Sequence, residues 1–171
     1  MAVNTGMTAY YAQTELVNEL KELFKGKKYT GQQGTRKELS IYAQNIPIQT
    51  DDDYDADDPE MAFSPYIVVE LLSGELSGPK QNQVLDFSIL ICVYDDGTER
   101  AGYQDIQNIR EDIIQHFTVY PDYASWYTTL YPIDWAVQRD DTHPYYYAAV
   151  RFSVTTPVRT LDGNEDIQGL L

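Results

Sequence analysis

The densest group of chemically capable side chains is acidic: Asp51-Asp52-Asp53-Tyr54-Asp55-Ala56-Asp57-Asp58. Calcium loops also set carboxylates at alternate positions, but they need a glycine at the sixth position and a glutamate at the twelfth. Both are missing here, so the expectation is an exposed, self-repelling loop that is dispensable for folding. The two imidazoles, His116 and His143, have no cysteine nearby and no histidine at helical spacing. A metal pair would therefore require the fold to join them. Gly31 and Gly34 do not follow an apolar strand, which argues against a phosphate loop. The chain contains no Gly-x-Ser-x-Gly elbow, no Walker loop and no CxxC pair. With 27 acidic residues, neighbouring carboxylates occur by chance and identify no acid–base pair. No residue is assigned a catalytic, cofactor-binding or metal role, and the expectation is a protein that is not an enzyme and carries no cofactor.

Composition points toward contacts rather than reactions. The formal charge is −15, and without clustered Lys and Arg a chain has little affinity for duplex phosphates. Aromatic side chains can stack on bases, but here they sit among negative charge. The 15 tyrosines offer broad contact area at low entropic cost, as at protein interfaces. The single cysteine, Cys92, excludes an intrachain disulfide and lies within an apolar strand, where a small buried hydrophobe is expected. No apolar run approaches a membrane span, and the first residues lack the pattern of a secretory signal, so a cytoplasmic site of synthesis is expected.

The elements that must position any site centre on residues 65–117. Tyr66 to Leu72 and Val84 to Tyr94 are apolar runs separated by the turn-rich Ser73 to Pro79, a hairpin signature. Gln104 to Phe117 then places Ile106, Ile109, Ile113 and Phe117 on one helical stripe. Upstream, Thr8 is a candidate N-cap for a helix carrying Leu16, Val17, Leu20, Leu23 and Phe24, stopped at Gly26. Half of the 12 basic residues lie between Lys21 and Lys37; they read either as a solvated helix end or as a patch for an acidic partner. Leu39, Ile41 and Ala43 alternate with Ser40, Tyr42 and Gln44 as a strand. Residues 133–139 and 145–154 alternate again as a closing hairpin. The fold class expected is α+β: an antiparallel β-sheet of about four to five strands with two helices packed on one face, plus extended loops and a tail. Residues 1–158 form one domain with an acidic loop at 50–60, and residues 159–171 form an extended or disordered tail.

Between helix and closing hairpin lies an aromatic segment: Tyr120, Tyr123, Trp126, Tyr127 and Tyr131. Trp126, Tyr123, Tyr127 and Tyr131 are candidate interface residues, with Trp126 as anchor; the alternative is that Trp126 caps the core.

The order of elements resembles the tail terminator (tail completion) proteins of long-tailed bacteriophages. The resemblance rests on the strand opening Pro65-Tyr66-Ile67-Val68, the strand ending Leu90-Ile91-Cys92-Val93-Tyr94-Asp95, and Gly102-Tyr103-Gln104-Asp105-Ile106 opening a helix. It includes the late pair Trp135-Ala136-Val137 and Tyr146-Tyr147-Ala148-Ala149-Val150-Arg151-Phe152. It spans about Met7 to Val158 and contains no invariant catalytic motif; the acidic insertion and the aromatic stretch have no place in it.

The resemblance implies a homo-oligomeric ring, usually hexameric, on the head-proximal end of the tail. Its partners would be the tail tube protein and the head connector or head-closure protein, with DNA passing through the lumen without specific binding. The location implied is the virion, after assembly in the host cytoplasm. Two other readings stand beside it: another head–tail connector or neck subunit, and a small cytoplasmic enzyme or metal-binding domain using the acidic loop.

Overall fold

A computed structural model describes residues 8–48 and 63–158. The acidic segment 51–58 and the tail 159–171 lie outside the described residues. The first helix, α1 (Ala9–Leu23), is followed by a short hairpin of β1 (Lys28–Thr30) and β2 (Arg36–Glu38), then by β3 (Ser40–Ala43), β4 (Tyr66–Glu75) and β5 (Val84–Tyr94). The second helix, α2 (Ala101–Val119), leads to β6 (Asp122–Tyr123), β7 (Tyr127–Val137) and β8 (Tyr145–Thr155). The larger sheet has six strands in the order β3-β4-β5-β8-β7-β6, and both helices lie on one face.

The helices form where capping and periodicity place them. The Thr8 hydroxyl accepts the Tyr11 amide at 3.2 Å, and α1 ends before Gly26, which takes φ +78°. Ile106, Ile109, Ile113 and Phe117 are buried along α2. They meet the alternating inner face of β8: Tyr146, Ala148, Val150, Phe152 and Val154. The start of α2 depends on a carboxylate seven residues upstream. Buried Asp95 accepts the Gly102 amide at 2.8 Å and the Gly97 amide at 2.9 Å. A Cβ on Gly102 would lie 2.7 Å from the Tyr146 ring and 2.9 Å from Asp95 Cβ, so this turn admits only glycine without movement.

Three features differ from the sequence expectation. First, β3 pairs with β4 in parallel, so the sheet is mixed rather than antiparallel. The connection through residues 44–65 is long enough for the crossover that parallel pairing demands. Second, the sheet has six strands, because β7 begins at Tyr127 and carries the two-residue β6 beside it. The segment 127–132 alternates poorly, since the register of β7 against β8 shifts between Leu130 and Asp134. Third, β4 runs on through Ser73 and Gly74 to Glu75, with a register shift around Leu72.

A smaller cluster on the face away from the helices contains Tyr66, Val68 and fully buried Cys92, partly covered by Tyr42, Ile46 and Phe63.

Candidate assembly surface

The four candidate interface residues divide by depth. Tyr123 and Tyr127 are buried, with ring centroids 5.1 Å apart. The Tyr123 hydroxyl donates to the Ala12 carbonyl at 3.1 Å and so fastens β6 to α1. Burial pushes both phenols well above their ordinary pKa, with smaller contributions from Tyr127 and Glu15 at Tyr123 and from Tyr11 and Glu15 at Tyr127. Trp126 and Tyr131 are exposed, 45 % and 67 %. Trp126 leaves the surface at a tight turn in which Ala124 and Ser125 take φ +52° and +62°. Two consecutive non-glycine residues in the left-handed region cost about 1–2 kcal/mol each. The indole lies against the Tyr11 ring, with centroids 5.8 Å apart.

The sequence reading missed a third exposed aromatic, on β7 with Tyr131. Trp135, 54 % exposed, lies over the Arg110 guanidinium, 3.7 Å from the ring centroid. Arg110 is buried and reaches Glu111 Oε1 from Nη2 at 2.5 Å, while its Nε has no hydrogen-bond partner. This cation–π contact sets the half-exposed indole against α2. Arg110 follows the apolar Ile109 in sequence, and only the packing of α2 beside β7 reveals its role.

These residues line one sheet edge. Beyond β6, which covers only Tyr127 and Thr128, no described strand pairs with the outer side of β7. The irregular stretch between Leu130 and Asp134 contains Pro132, which lacks an N–H. Bulges and prolines of this kind discourage indiscriminate strand pairing at an edge. What this edge offers a partner is side chains: Trp126, Tyr131 and Trp135.

The fold keeps the histidines apart. His116, on the last turns of α2, bonds Glu19 Oε1 at 2.8 Å and joins the two helices. His143 sits beyond the other end of α2, its Nδ1 3.1 Å from the Tyr146 hydroxyl. Beside it Asp141 takes both terminal nitrogens of Arg100 at 3.0 Å. Arg100, and then the His143 amide, hold the Asp141 carboxyl at a pKa of about 2. Among the described residues no three His, Cys, Asp or Glu side chains gather into a cation site, and no helix is long and apolar enough to cross a membrane.

No protein-family model matches the chain, and no curated protein matches it. Among solved structures it is similar to a chain of the "Virion of native gene transfer agent (GTA) particle", with a TM-score of 0.37 and 10 % identity, over 88 % of this chain and 91 % of that one. A likeness this slight carries no argument about function, which rests on the surface just described.

Proposed function

We propose that the chain is a structural virion protein of the tail terminator kind. Six copies close into a ring at the head-proximal end of the tail, stop growth of the tube and dock the head connector or head-closure protein. The genome passes through the lumen without specific binding; a chain of charge −15 repels phosphates rather than holding them.

The observation that carries this reading is the aromatic edge of β7. Trp126, Tyr131 and Trp135 are large, exposed and lie on or just before the edge strand β7, while among the described residues the other side ends in the unlike strand β3. A ring requires such inequality, because each copy must present one surface to the previous neighbour and a different one to the next. Aromatic anchors are the side chains that dominate such contacts. Tyr123 and Tyr127 serve as the buried floor that fixes the edge.

The test is the mass of the protein in solution and on purified tail tubes. The parent should sediment as a closed ring or cap tube ends. Trp126→Ala and Tyr131→Ala should keep the parental melting temperature and lose both properties, since neither side chain is in the core. A parent that remains monomeric and ignores tube ends refutes the reading. Binding to isolated connectors without tube ends would transfer the protein to the neck.

A further inference from the structure

We propose that β3 and the basic groove beside it receive residues 159–171 of a neighbouring copy, added as a strand outside β3. The inference rests on the assembly of like copies. Among the described residues β3 ends the sheet on its side. Ser40 and Gln44 point their amides at β4, bonding Pro65 and Val69 at 3.1 and 2.9 Å. In a parallel ladder the intervening Ile41 therefore turns its N–H and C=O outward, a template for one more strand.

The groove, about 380 Å³, runs between Lys21, Phe24 and Lys25 of α1 and Leu39, Ile41 and Tyr42, with Glu38 also bordering it. Its floor is apolar, since Phe24 and Ile41 are buried, and two ammonium groups stand at its rim. In so acidic a chain this is an unusual surface, and it suits an extended segment that carries both carboxylates and aliphatic side chains. Glu165-Asp166-Ile167-Gln168-Gly169-Leu170-Leu171 has that character. When extended it points Ile167 and Leu171 to the same side. The acidic segment 51–58 contains no Leu, Ile or Val to fill the floor.

The exit point selects a neighbour rather than the same chain. Thr155, at the end of β8, is level with both Thr128 of β7 and Val84 of β5, and the Thr156 amide donates to the Gln83 carbonyl, so β8 ends at the end of the sheet remote from Ile41. The β3 edge lies three strands away. Through the ladders, Ile41 is level with Ala148, which puts Thr156 roughly 30 Å from Ile41 by strand spacing and rise. The chain to Ile167 spans at most about 40 Å. Reaching its own β3 edge would use about three-quarters of that span. A copy whose β3 edge faces the β7 edge is nearer.

Disulfide trapping between two full-length variants tests this, because Cys92 is fully buried and stays silent. Ala43→Cys on the exposed end of β3 is mixed with Gln168→Cys and oxidised, with Ser77→Cys in place of Ala43→Cys as control. The mixed dimer should form several-fold faster than the control. Lys21→Glu/Lys25→Glu should abolish the difference, and Glu165→Lys/Asp166→Lys in the other variant should restore it. A rate equal to the control, indifference to the charge exchange, or a link formed within one chain in the Ala43→Cys/Gln168→Cys protein overturns the inference. Sedimentation of the same samples separates the two proposals. Rings without the cross-link remove this contact and leave the ring. Cross-linked chains that never close count for the contact and against the ring.

Discussion

The two edges of the sheet solve the exposed-strand problem in opposite ways. At β7 the backbone is made unsuitable for pairing, by the register shift between Leu130 and Asp134 and by Pro132, and the surface is dressed with Trp126, Tyr131 and Trp135. At β3 the strand is short and regular, the backbone of Ile41 faces outward, and the nearby side chains are Lys21 and Lys25. In the proposed assembly, contact at the first edge would depend on side-chain shape and burial, and contact at the second on backbone hydrogen bonds and charge. A molecule with unlike edges is suited to head-to-tail association, and salt should weaken the second edge more than the first.

The largest effect should come from the frame the two edges share. Ile113 is fully buried on the inner face of α2, and Ile113→Ala should cost about 2–5 kcal/mol, read as a lower denaturant midpoint. Ile109→Ala should behave alike. Unchanged stability in both variants would contradict the packing of α2 on the sheet.

Next is the support of the aromatic edge. In a double-mutant cycle, Arg110→Met and Trp135→Ala should show a coupling of about 0.5–2 kcal/mol. Arg110→Met should also loosen the indole, seen as lower steady-state anisotropy of Trp135 in a Trp126→Phe background. Zero coupling would mean that Trp135 is placed by β7 alone.

A smaller gain should come from the turn that raises Trp126. Ser125→Gly relieves a left-handed residue at the expense of chain entropy, and the net stabilisation should be up to about 1 kcal/mol. A loss of stability would show that the Ser125 side chain holds the turn. The charge rim of the β3 edge should remain untouched, so disulfide trapping at Ala43 should be unchanged in this variant.

The smallest effect disappears in acid and involves neither edge, which makes it a control on the comparison. The Asp141 carboxyl is held at about 2 by Arg100, below its ordinary value of about 4. A folded pKa below the unfolded one contributes stability that is complete above about pH 4 and is lost as pH falls through about 2. Asp141→Asn should therefore differ slightly from the parent at neutral pH, because the pair is exposed, and converge with it as the carboxyl protonates below about pH 2. A difference that persists once the carboxyl is protonated would assign the effect to the β7–β8 turn rather than to the ion pair.

The amino-acid sequence alone determined the two helices, the strands that alternate cleanly and the face each strand buries. Ile106, Ile109, Ile113 and Phe117 on α2, and Tyr146 through Val154 on β8, repeat with the period of their element, and burial follows period whenever one face must leave water. It also suggested the segment around Trp126 as a candidate contact surface, but it did not separate exposed Trp126 and Tyr131 from buried Tyr123 and Tyr127. That division comes from a turn of Ala124 and Ser125, whose residue types carry no signal for positive φ. Tertiary structure alone decided that β3 runs parallel to β4, because pairing direction depends on where a long connection returns. It alone set Trp135 over Arg110, since a cation–π contact between a helix and a strand leaves no periodic trace in either. It also alone placed the end of β8 three strands from the β3 edge and the basic groove beside that edge, because that separation is a property of strand order, and strand order is fixed by packing rather than by any local run of residues.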